Sequence, residues 1–366
     1  FFFKPTPAYA ILSGLVGSEM CIRDRSCNWQ PAIRLRHKSI MNKNTLGILG
    51  LFILIFGITW ASNENFANGY NMTNLVKWSS LYAIMGIGVA FVIITGGIDL
   101  SIGSVIGLVA ALMALAIKHE WNPGLTVVLL LGLSLVIGLM HGLLITKVKL
   151  QPFVVTLCGL LFYRGISRWL TDNQTMQYPN TEGLDSFFSG KVALFGQFSL
   201  ASPFFFLVVI AILAAFFLNR TIWGRYLLAL GNNEDGARYS GIQTDRLKIT
   251  AYVICSFLAG VSGLLFAYEL DSVQPAQTGE FYELYAIAAA VLGGCSLRGG
   301  QGAIFGVIIA AAVIRLLRNS INLVGISTHL EFAIIGLVIL GGVTADELIK
   351  RFVAKRRTAQ VNDAKS

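Results

Sequence analysis

Apolar residues come in long, almost uncharged runs, with no sustained alternation between apolar and polar positions. Ten such runs lie near 45–61, 78–95, 101–118, 124–146, 153–170, 202–219, 249–268, 284–297, 302–319 and 329–346. A helix needs about 20 apolar residues to cross a hydrocarbon core of about 30 Å. The pattern therefore predicts an all-α, polytopic membrane protein with about ten transmembrane helices. The runs 284–297 and 302–319 are short or rich in glycine and fit two full crossings least well. Between the runs the longest polar stretches are 171–201 and 220–248, both too short for a soluble domain.

Composition agrees: 55% of residues are hydrophobic and only 13% charged, against about 25% charged in soluble domains. That balance excludes an ordinary soluble enzyme and a disordered chain. The formal charge of +9 suggests nucleic acid at first sight, but in a membrane protein excess Lys and Arg marks cytoplasmic loops. Here the basic residues gather in 147–149, 220–248 and 350–357, whereas 269–283 carries Glu269, Asp271, Glu280 and Glu283 and no Lys or Arg. With an even number of spans, this bias predicts both termini in the cytoplasm. Arg315 and Arg318 break the bias and are expected to snorkel towards headgroups.

The start of the chain reads differently from the rest. Leu15–Arg25 is LVGSEMCIRDR, which resembles one reading frame of a sequencing-library adapter. A signal peptide fits poorly, because Pro5, Pro7, Gly14 and Gly17 break the apolar stretch and no small-residue cleavage site follows. The expected organisation is a non-native leader over 1–40, a transmembrane domain over 41–350 with an inner loop at 220–248, and a basic cytoplasmic tail over 351–366.

Chemistry-bearing motifs are mostly absent. No G-x-x-x-x-G-K-[ST] loop occurs, since Gly190-Lys191 is followed by Val192, so this chain lacks that device for binding ATP. Cys158, Cys255 and Cys295 form no C-x-x-C pair, and His119, His141 and His329 have no partner at ligand spacing. No cofactor, metal or catalytic constellation is expected.

Two glycine-rich turns are more informative. Gly96-Gly97-Ile98-Asp99-Leu100-Ser101 separates two apolar runs by too few residues for a solvated loop, and backbone groups at membrane depth need partners. Asp99 or Ser101 can cap the helix that follows; Asp99 is equally a polar group beside a pathway. Gly293-Gly294, Leu297 and Gly300 repeat the spacing of Gly96-Gly97, Leu100 and Gly103, as an internal duplication or close helix packing would produce. Phe153 and Thr156 open a helix after Pro152 and offer an aromatic face and a hydroxyl, although membrane helices contain both routinely. Arg164 and Arg168 share one face and are placed to pair with Asp172, line a vestibule or snorkel.

Residues 231–242 read GNNEDGARYSGI. Asn232 or Asn233 can cap a helix, Glu234 and Asp235 suit its first turn, and Gly241 can end it, which predicts a helix of two or three turns. This segment, with Gly224-Arg225-Tyr226, resembles the coupling segment of the ribose-type sugar permeases (ribose, xylose and arabinose type), membrane subunits of ATP-binding cassette (ABC) importers. Ile93–Ser104, Gln151–Leu157 with Arg164-Gly165, and the run from Gln274-Pro275 through Gly293-Gly294 to Gly302 resemble the same family in the same order. The resemblance covers 41–350.

It implies the ABC importer permease fold. It also implies a second permease subunit (homodimer or heterodimer), a cytoplasmic ATP-binding cassette ATPase that binds the ATP, a periplasmic sugar-binding protein, and surrounding membrane lipid, with no nucleic acid. Asn233, Glu234, Ala237, Arg238, Ser240 and Gly241 become the expected ATPase-coupling residues. Gly96, Gly97, Asp99, Phe153, Thr156, Gly293 and Gly294 become the expected pathway or gate residues. The competing reading is an ion-coupled secondary transporter, for which Asp99 and Glu331 are the candidate buried carboxylates; an assembly subunit with no pathway is a third.

Overall fold

The computed structural model describes residues 43–177, 183–195, 197–270, 272–327, 330–338, 340–341 and 344. The leader expected over 1–40 and the tail expected over 351–366 lie outside the described residues.

The chain is an all-α bundle. Its long helices are α1 (Lys43–Ser62), α2 (Gly69–Ile94), α3 (Ile102–Lys118), α4 (Pro123–Thr146) and α5 (Pro152–Leu170). A short α6 (Leu184–Phe188) follows, then α7 (Ser202–Arg220), α8 (Ile222–Asn232), α9 (Glu234–Tyr239), α10 (Thr244–Glu269), α11 (Tyr282–Leu292) and α12 (Ile304–Val324). A further helical stretch covers 331–338. Among the described residues, seven helices are long and apolar enough to cross a membrane: α1, α2, α4, α5, α7, α10 and α12. Local chemistry sets the boundaries. Asn122 accepts a hydrogen bond from the Leu125 amide and Pro123 holds the first position of α4, and Pro152 opens α5 in the same way.

Two antiparallel pairs were not anticipated from the hydrophobic pattern. Strand β2 (Lys191–Phe195) pairs with β3 (Phe198–Ala201), and β1 (Met176–Gln177) pairs with β4 (Ser272–Val273), Met176 opposite Val273. Strands of two to five residues leave no trace in a reading based on long apolar runs.

The core centres on α2, which is buried continuously from Ser80 to Ile94 and packs against α10, α11 and α12. Helix α10 also lies along α3 and α4. Small residues allow that closeness: a side chain on Gly138 of α4 would meet the backbone of Tyr252 and Val253 in α10. Helices α1, α4, α5 and α7 expose apolar faces, with Leu161, Phe162, Ile212 and Leu213 each more than 60% accessible. An apolar outer ring around a small-residue core is what hydrocarbon surroundings require.

One expected span is corrected. The run 284–297 forms only α11, 11 residues and so about 16 Å long, half a crossing. The chain leaves α10 at Glu269, makes β4, and turns through 274–281, where Gly279 and Phe281 hold left-handed backbone (φ +77° and +61°). Glycine tolerates that region and phenylalanine does not, and these two turns prevent a single continuous helix.

Candidate coupling and pathway sites

Helix α8 is capped by the Thr221 hydroxyl, which accepts from the Gly224 amide at 3.1 Å. The chain then breaks at Asn233, whose side chain accepts from the Gly236 amide at 2.9 Å and starts α9. Asn233, not Asn232, is thus the cap. Helix α9 spans six residues, shorter than the two or three turns expected, because Gly241 (φ +80°) ends it. The Gly241 amide donates to the Arg238 carbonyl and the Ile242 amide to Ala237, the paired bonds of a Schellman stop. Ala237 is buried; Arg238, Ser240 and Gly241 are exposed.

Charged side chains brace this foot against the bundle. Lys248 Nζ lies 2.7 Å from the Glu234 carboxylate, Arg238 reaches both Glu234 (3.4 Å) and Asp245 (3.6 Å), and Lys147 at the end of α4 reaches Asp245 at 3.0 Å. Glu234 is therefore half-buried within an internal network. Sequence reasoning missed Tyr239, 90% exposed on the far side of α9 from Ala237; the signal was an aromatic two residues from a small apolar one on a short amphipathic turn.

The coupling segment meets the glycine-rich turns directly. The Gly300 amide donates to the Ile94 carbonyl at 2.9 Å. A side chain on Gly231, in the last turn of α8, would strike both Ile94 and the Gly300 backbone. One on Gly299 would strike Gly231 and the Gly96 amide. The ends of α2 and α8 and the loop before α12 thus form one backbone-on-backbone knot. The two turns are alike, but offset by one residue from the spacing match. Gly96 and Gly294 are the left-handed stops (φ +81° and +97°), so Cys295 stands where Gly97 does. Gly97 packs against the Tyr252 hydroxyl and Gly293 against Val307 of α12.

The expected pathway residues converge only in part: the Thr156 hydroxyl reaches the Ile98 carbonyl of the 95–101 turn at 3.4 Å and Gly97 packs there against Tyr252, while Phe153 does not join them. Asp99 is 1% exposed, and its Oδ1 accepts from the Ser101 amide (2.9 Å) and hydroxyl (2.7 Å). Neither Asp99 nor Ser101 caps the free amides of α3, a correction to the expectation; Asp99 instead fixes the residue before the helix. Tyr252 donates to the Ile98 carbonyl at 3.3 Å, and the Tyr163 hydroxyl meets His141 Nε2 at 2.9 Å nearby. Thr156 is fully buried and donates to the Pro152 carbonyl of its own helix (2.9 Å), while Phe153 is exposed on the outside of α5.

The arginines are also resolved. Arg164 donates to the carbonyls of Thr278 and Pro275, gripping the 274–281 loop. Arg168 donates to Asn173 at 3.1 Å rather than to Asp172. Arg315 does not snorkel: its guanidinium lies 5.2 Å from the ring centres of both Trp78 and Tyr82. Arg318 pairs with Glu331 at 2.8 Å.

The family model described as branched-chain amino acid transport system / permease component matches residues 71–343. The chain is 36% identical to the ribose import permease protein RbsC of Escherichia coli (strain K12) over 305 residues, 82% of this chain and 92% of that protein. It is 34% identical over 330 residues to the probable ABC transporter permease protein y4mJ of Sinorhizobium fredii (strain NBRC 101917 / NGR234), 90% and 96% of the two chains. To the D-allose transport system permease protein AlsC of Escherichia coli (strain K12) it is 31% identical over 310 residues, 84% and 92%. No solved structure matches. The matched span runs from the first turn of α2 past the end of α12 and takes in the coupling foot, the glycine knot and the half-length α11, and on that footing the chain belongs to this family of ABC permease components, which transport rather than catalyse.

Proposed function

We propose that this chain is the membrane-spanning subunit of a bacterial ABC importer that moves a monosaccharide or small polyol across the inner membrane. A separate ATPase grips α8 and α9, a periplasmic binding protein delivers the sugar, and a second permease subunit completes the conduit. The observation that carries the reading is the backbone knot joining α8 to the ends of α2 and α11–α12. A push on α9 reaches the bundle's centre through Gly231 and Gly300 without passing a flexible linker. Similarity to permeases named for ribose and allose supports the substrate class.

Ten membrane-embedded helices is the count we favour: the seven long helices, the shorter α3, the half-length α11 and the 331–338 stretch, of which neither α11 nor 331–338 makes a full crossing by itself. With the foot in the cytoplasm, both termini lie there as well. Of the two carboxylates an ion-coupled carrier could use, Glu331 is paired with Arg318, and Asp99 is held by Ser101 through Oδ1 while its Oδ2 is buried without a hydrogen bond among the described residues.

The test is uptake of labelled D-ribose and D-allose in vesicles holding the chain with its ATPase and binding protein. Uptake lost on ATP depletion and indifferent to an ionophore is expected. Uptake abolished by the ionophore and unmoved by ATP depletion overturns the proposal, as does a tag that places Glu234 on the periplasmic face.

A further inference from the structure

The 274–281 loop lies deep in the bundle yet presents polar side chains outwards. Its Gly279 and Thr278 carbonyls rest against Gly103 and Gly107 in the first turns of α3. From Gly107 to the end of α3 at Lys118 is about 17 Å of helix, and α11 descends about 16 Å from the loop to the glycine knot. These lengths place the loop near the middle of a hydrocarbon core about 30 Å thick. At that depth Gln274, Gln277 and Glu280 are exposed, and their side chains have no hydrogen-bond or ion-pair partner among the described residues. Phe281 beside them is 44% exposed, in left-handed backbone, with one edge of its ring against Phe332. Arg164 holds the loop from behind through the Thr278 and Pro275 carbonyls.

A carboxylate and two amides at mid-depth do not face lipid; non-helical backbone there is tolerated where it is buried in protein or lines a wet cavity. Strained backbone that persists in such a place is a mark of function. We propose that Gln274, Gln277, Glu280 and Phe281 contact the transported solute halfway along a water-filled conduit, an assignment that rests on the permease reading above. The chemistry selects a neutral polyhydroxylated molecule. The carboxylate and amide oxygens accept from hydroxyl groups, the amide nitrogens donate to them, and the phenyl face covers an apolar C–H face of a sugar ring. Glu280, with Glu283 one turn behind it, repels sugar acids.

The full chain with its ATPase and binding protein, turning over ATP in vesicles, provides the test. In a background with Cys21, Cys27 and Cys158 changed to Ser, Gln277→Cys, Glu280→Cys and, as a lipid-facing control, Leu161→Cys are treated with the membrane-impermeant trimethylammonium-ethyl methanethiosulfonate. Positions 277 and 280 are expected to react at least about tenfold faster than 161. Equal rates overturn the proposal. Glu280→Ala is expected to lower D-ribose uptake about tenfold while the complex still co-purifies; unchanged uptake overturns the contact role even where the thiols react. If the wild-type importer takes up neither ribose nor allose, the choice of these two sugars fails instead, and the thiol rates still decide whether this loop lines a path for water.

Discussion

Two breaks in helical structure bring a carboxylate into the interior of the bundle, and the two are treated in opposite ways. In the 95–101 turn Asp99 is sealed: its Oδ1 takes the amide and hydroxyl protons of Ser101, and its Oδ2 is buried without a hydrogen bond among the described residues. In the 274–281 loop Glu280 is exposed, with no partner among the described residues. Both turns are rich in glycine, and on sequence both look like functional polar sites in a membrane. The difference is in what surrounds them. The first is packed between α3, α5 and α10, where a carboxylate has to be satisfied locally. The second hangs from Arg164 at the bundle's open side. A buried, bonded carboxylate does structural work; an open one is free to meet a solute.

The sharpest way to break that contrast is to remove each carboxylate and measure stability. Asp99→Leu leaves the Ser101 amide and hydroxyl without an acceptor and is expected to cost about 2–4 kcal/mol, read as a large drop in thermal stability in detergent. Asp99→Asn keeps the acceptor oxygen and is expected to recover most of the loss. Glu280→Gln, an exposed change, is expected to stay within about 0.5 kcal/mol of wild type. Equal losses at the two sites would erase the distinction.

Next in size is the knot that connects the closed turn to the coupling foot. Gly231→Val forces a branched side chain into the Ile94 carbonyl and the Gly300 backbone. Overpacking of this kind costs about 1–3 kcal/mol, and here the contact lies on the route from α9 to the bundle. The expected outcome is a folded complex that hydrolyses ATP with sugar uptake lost. Normal uptake would mean that the knot transmits nothing.

The open loop is tested from behind by Arg164→Gln. The shorter amide cannot span to both carbonyls of Thr278 and Pro275, and losing hydrogen bonds from a charged donor costs about 1.5 kcal/mol or more. Faster thiol labelling at Gln277→Cys in this background is expected as the loop loosens; an unchanged rate would show that Arg164 does not hold it.

Much of this architecture was legible in the sequence because burial in lipid is written in long apolar runs. The short helix α9 was legible as well: Asn233, Glu234 and Gly241 are a start, a first turn and a stop whatever the tertiary context. What was lost depends on depth and direction. Run 284–297 is apolar enough to suggest a span, but nothing in its hydropathy shows that Gly279 and Phe281 turn the chain back before it. Thr156 carries a hydroxyl suited to sugars, yet it bonds its own helix. Arg315 looked like a residue for headgroups until Trp78 and Tyr82, more than two hundred positions away, supplied aromatic faces. Long-range partners and side-chain direction have no local signature.

The smallest expected effect separates the two roles now carried by Glu234. The sequence assigns it to a partner; the structure also gives it an internal bond to Lys248 at 2.7 Å. The Lys248 side chain is 22% exposed and that of Glu234 38%, so solvent screens the pair and its worth is about 0.5 kcal/mol. A double-mutant cycle of Glu234→Ala and Lys248→Ala measures that coupling in the isolated chain. If bracing were the only role of Glu234, Lys248→Ala would impair ATPase docking as much as Glu234→Ala does. The expected result is that Lys248→Ala leaves docking nearly intact and Glu234→Ala weakens it severalfold, measured as the ATPase concentration needed for half-maximal binding. Equal weakening by the two variants would assign the carboxylate to the internal brace and move the contact with the ATPase to Tyr239 and Arg238.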